Sequence, residues 1–156
     1  MPTYELAQLN IALMKESLES PRMADFVANL DRINALADQS AGFVWRYRTP
    51  QGTTEERELF GEKALVNVSV WQDLESLRQY VYQSAHRDIM RRRAEWFESM
   101  SEAFLVLWWV PTGHRPSLAE ARERLELLRA QGSTADAFTF RQAFAAPTPG
   151  RSGADA

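Results

Sequence analysis

The chain has 156 residues, 45% of them hydrophobic and 11% aromatic, and its formal net charge is −3 at pH 7. This length and apolar content support one domain with a sizeable core. The net negative charge argues against nucleic acid as a partner, because phosphate binding requires a basic surface. The sequence has no cysteine and two histidines. It therefore lacks disulfides and zinc–thiolate sites, and a His-rich metal centre is not expected.

The N-terminal residues and the apolar runs give expectations about location. Residues 1–10 lack a basic region followed by an apolar core, so we expect no signal peptide. No apolar run reaches the length that spans a membrane. We therefore expect a cytoplasmic protein with no membrane partner.

Two elements are predicted in the first forty residues. Residues 4–14 alternate as a β-strand does and place the amide of Asn10 on a face otherwise fit for burial. Ser20 as N-cap and Pro21 as the first helical residue then begin a helix, which ends before Gly42.

The next segment predicts a strand and a turn. Residues 43–48 alternate, so that Phe43 and Trp45 are expected on one face of a second strand. Residues 49–58 are polar and contain proline and glycine, which predicts a mobile turn.

Residues 65–71 form the clearest strand pattern. Three valines point to one face, and the other face carries Leu65, Asn67, Ser69 and Trp71. A buried amide needs a hydrogen-bond partner, so this second face is the predicted wall of a cavity. The alternative is that Asn67 pairs with a neighbouring loop.

The following residues predict helix up to about residue 100. Asp73 is its N-cap, with a break near Ser84. From His86 onward, helical spacing aligns six residues on one face: His86, Ile89, Met90, Arg93, Phe97 and Met100. Ionisable groups on an apolar stripe are usually paired or serve a ligand. The alternatives are a hydrogen-bonded core histidine for His86, and an ion pair or a surface-reaching head group for Arg93.

The C-terminal third predicts one strand and one helix. Residues 104–110 are apolar on both faces, which indicates a strand covered on both sides. Ser117 and Glu120 form a capping box for the last helix. Residues 137–140 predict a short strand or an apolar hook. We place the domain at residues 1–144 and expect residues 145–156 to be disordered.

The element order is β-α-β, β-α-β and then an extra helix. It predicts an α+β protein with a ferredoxin-like antiparallel sheet, helices on one face and an additional C-terminal helix. Because those helices cover only one face, we expect a second copy on the other, giving a homodimer.

Several segments together carry a family resemblance: AQLNIA at 7–12, GFVWRYR at 42–48, VNVSVW at 66–71, YVYQSAHRDIMRRRAEWF at 80–97 and LWWVPTGHRPS at 107–117. They resemble a bacterial family known as a domain of unknown function, over about residues 4–141. That family is placed in the dimeric α/β-barrel superfamily, beside the antibiotic-biosynthesis monooxygenases. The resemblance therefore implies a dimeric α/β barrel.

The same resemblance implies a catalytic trio. Haem-degrading and quinol-oxidising branches of the superfamily use an asparagine on the first strand, a tryptophan ending the third and a histidine on the next helix, and Asn10, Trp71 and His86 match them. The ligand-binding residues that we predict beside this trio are Trp45, Asn67, Tyr82, Arg93, Trp96 and His114. Of these, His114 lies in a loop, either at the cavity mouth or simply exposed to solvent.

Three functions follow as alternatives. The first is a cofactor-independent monooxygenase, or a related isomerase or cyclase, acting on an aromatic or polyketide-like molecule. The second is a haem protein with His86 as axial ligand. The third is a non-catalytic dimer that binds a small apolar ligand or serves as structure. We expect no cofactor or metal, with haem as the alternative.

Overall fold

The computed structural model describes residues 3–47, 53–82 and 84–147, without the side chains of residues 84–86 and 89. Its strands are β1 (Tyr4–Leu13), β2 (Phe43–Arg46), β3 (Ala64–Trp71) and β4 (Leu105–Pro111). Its helices are α1 (Ala24–Asp38), α2 (Thr54–Phe60), α3 (Leu74–Val81), α4 (Ser84–Arg91), α5 (Arg93–Trp96) and α6 (Leu118–Gln131). A single 3₁₀ turn, Pro21–Met23, leads into α1.

The four strands form one antiparallel sheet in the order β2-β3-β1-β4. This is the strand order of the ferredoxin-like fold, so the predicted α+β class and topology are confirmed. The central strands β1 and β3 pair with Gln8 opposite Ser69 and Asn10 opposite Asn67.

The two faces of the sheet differ as the alternation predicts. The aliphatic face consists of buried apolar side chains: Ala7, Leu9, Ile11, Val66, Val68, Val70, Val106, Trp108 and Val110. The other face, here called the cavity face, carries Gln8, Asn10, Asn67, Ser69 and Trp71.

The chain itself covers the aliphatic face. Four α6 residues, Leu118, Ala121, Leu125 and Leu128, pack on it together with Phe60 of α2. The helix begins as predicted, since the Ser117 hydroxyl accepts a hydrogen bond from the Glu120 backbone N–H at 3.1 Å. The argument that this face stays open for a second copy is therefore wrong, and the homodimer remains a prediction.

Helix α2 lies where a mobile turn was expected, so that prediction is wrong for residues 54–58; residues 48–52 lie outside the described part. The Thr53 side chain caps the helix by accepting a hydrogen bond from the Glu56 backbone N–H at 3.2 Å. Glu56 itself is buried. The helix buries Phe60 against the aliphatic face, which stabilises seven residues that are otherwise too few to form a stable helix.

Strand β2 contains a bulge. Phe43 pairs with Trp71, but Trp45 pairs with Val70, so the register shifts by one residue between them. Phe43 consequently lies on the cavity face, and Trp45 packs against the aliphatic cluster. The prediction that both aromatic rings share a face is wrong.

The predicted helix beyond residue 73 is broken into α3, α4 and α5. Asp73 caps α3 as predicted, accepting from the Ser76 backbone N–H at 2.8 Å. Phe97 is extended (φ −126°, ψ 147°) and forms an isolated bridge with Met14, so the helical stripe stops before Met100. At the start of the first helical segment, Ser20 precedes the Pro21–Met23 turn as predicted, but its side chain makes no capping hydrogen bond.

The C-terminal apolar hook is buried. Phe138 has no exposed surface and makes a single β-bridge with Leu107.

In the described ranges, no helix is long and apolar enough to cross a membrane.

Candidate functional site

A cavity of about 410 Å³ lies between the cavity face and helices α1, α3, α4 and α5. Its floor is the polar part of the sheet, formed by Gln8, Asn10, Asn67 and Ser69. Its walls are mainly aromatic and aliphatic: Phe26, Leu30, Ile33, Phe43, Trp71, Leu77, Tyr80, Val81, Met90, Phe97, Phe104 and Phe140. Its size lies in the range of small-molecule pockets.

Hydrogen bonds tie the floor together. The Gln8 Nε2 atom lies 2.5 Å from Asn67 Oδ1 and 2.8 Å from Ser69 Oγ. The Trp71 indole Nε1–H donates to the same Ser69 oxygen at 2.8 Å. Gln8, Ser69 and Trp71 are buried, whereas Asn67 is exposed to the cavity. The floor is therefore a fixed network that ends in one accessible amide.

Asn10 lies beside this network without joining it. It faces Asn67 across the β1–β3 pair and is partly exposed. In the part of the chain that the structure describes, its side-chain amide has no hydrogen-bond partner. A ligand oxygen is therefore able to use both amides at once.

Three aromatic side chains, Phe43, Trp71 and Tyr80, pack together at the inner wall of the cavity. Trp71 stacks on Tyr80, with ring centroids 5.1 Å apart and planes inclined by 27°. Phe43 meets Trp71 edge-on at 5.4 Å. With its N–H used by Ser69 and one face by Tyr80, Trp71 contributes shape to the cavity rather than a free donor.

Two arginines lie on the cavity lining and differ in their partners. Arg46 binds Asp38, with Nε 2.8 Å from Oδ1. The guanidinium carbon of Arg93 lies 4.8 Å from the Phe104 ring centroid. Among the described residues, no carboxylate lies within ion-pairing distance of Arg93. Its positive charge is thus available to a ligand.

Of the eight predicted site residues whose side chains the structure describes, four line the cavity: Asn10, Asn67, Trp71 and Arg93. Trp45 packs on the opposite side of the sheet, and Tyr82 is 63% exposed at the end of α3. Neither lines the cavity, so the structure does not support their predicted ligand contact.

Trp96 and His114 also lie outside the cavity lining. Trp96 is buried behind the cavity wall, with its ring centroid 5.4 Å from that of Phe26. It therefore supports the Phe26 ring, which lines the cavity. His114 Nε2 lies 2.6 Å from Glu120 Oε1, which fixes it to α6. His86 belongs to α4, but its side chain lies outside the described residues.

Sequence reasoning missed Gln8 and Tyr80 as site residues. The signal for Gln8 was present, because it precedes Asn10 by two residues and so shares its face of β1. Tyr80 gives no such signal, because its stacking on Trp71 depends on how α3 docks.

Burial raises the pKa of Tyr80 to about 12, and the nearby positive charge of Arg46 opposes this increase. The Tyr80 hydroxyl donates to the Ile33 carbonyl oxygen at 3.3 Å. Between pH 10 and 12 the unfolded chain therefore ionises this tyrosine while the folded protein keeps it neutral.

We expect the free energy of unfolding to fall as the pH rises through this window, by roughly 3 kcal/mol from this group, with its stabilisation fully present below pH 10. Urea unfolding at several pH values measures the slope. Tyr80→Phe should flatten it, and Tyr82→Phe should not. An equally steep slope in Tyr80→Phe would assign the pH dependence to other groups.

In the described residues, no group of three or more His, Asp or Glu side chains is arranged to hold a metal ion. The ionisable side chains among the described lining residues are Arg46, Tyr80 and Arg93. The site is therefore a neutral to cationic pocket with amide donors and aromatic walls.

The fold and the cavity define a ferredoxin-like α+β protein with a pocket of small-molecule size. The chain belongs to the family described as a domain of unknown function (DUF3291), whose model matches residues 5–153. The family resemblance drawn from the sequence is thus confirmed. No curated protein matches the chain.

Three solved structures illustrate the fold similarity. SnoaB from Streptomyces nogalater, a cofactor-independent oxygenase, is 16% identical over 73% of this chain and 96% of its own, with a TM-score of 0.45. The NE2512 protein of unknown function from Nitrosomonas europaea is 14% identical over 74% and 95%, with a TM-score of 0.48. A dabb family protein with a ferredoxin-like fold from Mesorhizobium loti is 13% identical over 70% and 99%, with a TM-score of 0.45.

Proposed function

We propose that the protein binds a flat aromatic small molecule that carries oxygen substituents, with the molecule seated between the cavity face and helices α1 and α3. The observation that carries this proposal is the accessible amide pair, Asn10 and Asn67, on the floor of an otherwise aromatic cavity. A purely structural core gains nothing from amides at these positions, because each buried polar group requires a partner.

The walls and the charge indicate the class of ligand. Aromatic rings on several sides favour a planar ring system. The Arg93 guanidinium, without a carboxylate partner in the described part of the chain, favours a carboxylate, phenolate or enolate. Aromatic and polyketide-like acids and phenols combine both properties.

The finer proposal is that the protein is a cofactor-independent monooxygenase for such a molecule. In this chemistry the ionised substrate itself reduces O₂. A methylene between two aromatic rings becomes a carbonyl, one oxygen atom enters the product and the other leaves as water, so the substrate supplies all four electrons. Asn10 and Asn67 would stabilise the negative charge that develops on the substrate oxygen.

The monooxygenase proposal depends on a base. A guanidinium does not act as a base, which excludes Arg46 and Arg93, and burial keeps Tyr80 from ionising near neutral pH. Proton removal therefore falls to His86 in this proposal, with Trp71 shaping the site. The haem alternative also rests on His86 and stays a prediction. Oxygen uptake with anthrone, which has such a methylene, separates an enzyme from a protein that only binds.

Filling the cavity should abolish binding. Ala12 lines the cavity floor at the end of β1, and Ala12→Phe places a ring in the ligand space. We expect wild type to bind 2-naphthoate in calorimetric titrations and Ala12→Phe to lose at least tenfold in affinity. Ala28 is exposed on α1. Ala28→Phe, the same change outside the cavity, should bind as wild type does.

Thermal unfolding of each variant shows that it is folded. A folded Ala12→Phe variant with unchanged affinity would place the ligand elsewhere, and a wild-type protein that binds no flat aromatic acid or ketone would refute the proposed function.

A further inference from the structure

The hydrogen bonds at the cavity floor have a direction that the side-chain positions determine. The Gln8 Nε2 atom lies 3.5 Å from the Asn67 backbone carbonyl oxygen, in addition to its contacts with Asn67 Oδ1 and Ser69 Oγ. A backbone carbonyl only accepts hydrogen bonds. The end of the Gln8 amide that meets Asn67 is therefore its NH₂ group.

This assignment fixes the Asn67 amide as well. Its Oδ1 accepts from Gln8 at 2.5 Å, so its own NH₂ group is the other end of the amide. Asn67 is exposed and lines the cavity. In the described residues, nothing accepts a hydrogen bond from this NH₂ group.

Ser69 supports the same polarity. Its Oγ accepts from both Gln8 Nε2 and Trp71 Nε1, each at 2.8 Å. Two accepted bonds occupy both lone pairs of the hydroxyl oxygen. Its proton is thereby left as a donor, and Ser69 also lines the cavity.

We propose that Gln8 is a positioning residue that turns the Asn67 NH₂ group into the cavity, so that the floor selects ligands offering a hydrogen-bond acceptor there, a carbonyl or an ionised phenol oxygen. Gln8 is only 5% exposed and acts through Asn67. The inference rests on the proposed function, because it assigns which end of the ligand reaches the floor.

Gln8→Glu reverses this polarity with little change of shape. The ionised carboxylate only accepts hydrogen bonds, and binding is measured at a pH high enough to ionise this buried group. The Asn67 amide then turns to donate its NH₂ group to residue 8, and its Oδ1 faces the cavity. A ligand carbonyl meets another acceptor in place of a donor.

The test compares two neutral ligands of equal shape, 2-acetylnaphthalene and 2-isopropenylnaphthalene, in which a carbonyl oxygen replaces a methylene group. Binding is measured by quenching of tryptophan fluorescence. The ratio of Kd values, alkene over ketone, should fall at least tenfold from wild type to Gln8→Glu. The ratio reports polarity, because a general loosening of the cavity weakens both ligands together.

Gln8→Met keeps the test decisive if a charge at this position prevents folding. This change removes the amide that holds Asn67 in place, so the ratio of Kd values, alkene over ketone, should fall roughly threefold. Gln79 is exposed on α3 outside the cavity lining, and Gln79→Glu should leave the ratio unchanged.

The outcomes separate the two proposals. If both ligands bind and the ratio stays constant in Gln8→Glu and Gln8→Met, Gln8 is merely structural and the inference is wrong, while the proposed function stands. If neither ligand nor 2-naphthoate binds wild type, the proposed function fails and the inference fails with it.

Discussion

Arg93→Met should weaken the binding of 2-naphthoate by roughly ten- to a hundredfold, because it removes a charge-assisted hydrogen bond of about 1.5–3 kcal/mol. Arg93 lies on the cavity lining, and its guanidinium carbon is 4.8 Å from the Phe104 ring centroid. In the described ranges it has no acidic partner. Its charge is thus not already neutralised, and calorimetric titration measures the loss directly.

The neighbouring arginine is the matched control. Arg92 binds Glu95 and Asp25, with Nε 2.8 Å from Glu95 and a terminal nitrogen 2.9 Å from Asp25. Its hydrogen bonds hold the pKa of Glu95 below its usual range. Because Arg92 does not line the cavity, Arg92→Met should leave the affinity unchanged.

The ketone 2-acetylnaphthalene provides the second comparison for Arg93→Met, since it carries no charge. Its affinity should change less than about threefold. An equal loss for acid and ketone would show that Arg93 maintains the cavity instead of binding an anion.

Gly42→Ala should destabilise the fold by roughly 2–4 kcal/mol, through backbone strain and steric overlap together. Gly42 has φ +83°, and a Cβ there would lie 2.1 Å from Ser76 Oγ and 2.4 Å from Ser76 Cβ. Its carbonyl also accepts from the Gln72 backbone N–H at 2.6 Å. The glycine therefore holds the start of β2 against the first turn of α3.

Gly61→Ala separates the two causes. Gly61 has φ +100°, but an added Cβ meets nothing within 4 Å. Gly61→Ala should lower the free energy of unfolding by about 1 kcal/mol, from backbone strain alone. Both values come from urea unfolding. Equal losses in the two variants would show that the Ser76 overlap is relieved at no cost.

The central strands and the last helix were predictable because their signals are local. Alternation in β1 and β3 determines which residues face the cavity, and Ser117 with Glu120 marks the start of α6. Alternation therefore placed Asn67 and Trp71 on one face of β3, and the family resemblance added Asn10 to the same site. Arg93 was found for a different reason, since a single cation on an apolar stripe is unusual.

The structural predictions that were wrong depend mainly on interactions between segments that are distant in the sequence. The bulge in β2 follows from its pairing with β3, and it moves Trp45 away from the cavity and Phe43 into it. The helix stops at Phe97 because that residue pairs with Met14. Local periodicity contains neither fact. The start of α2, where the Thr53 side chain accepts from the Glu56 backbone N–H, was not predicted, because the polar residues around it indicated a turn.

The pairing of β1 with β4 has a consequence for how the chain folds as it is synthesised. Tyr4 pairs with Pro111, and α6 covers the aliphatic face only after that strand. Until β4 and α6 leave the ribosome, one edge of β1 is unpaired. The valine side chains on the aliphatic face of β3 are then also uncovered. Such non-local contacts slow folding, and exposed edges promote aggregation of unfinished chains. This exposure ends only when the last strand and helix are made, because β4 pairs with the edge of β1 and α6 covers the aliphatic face.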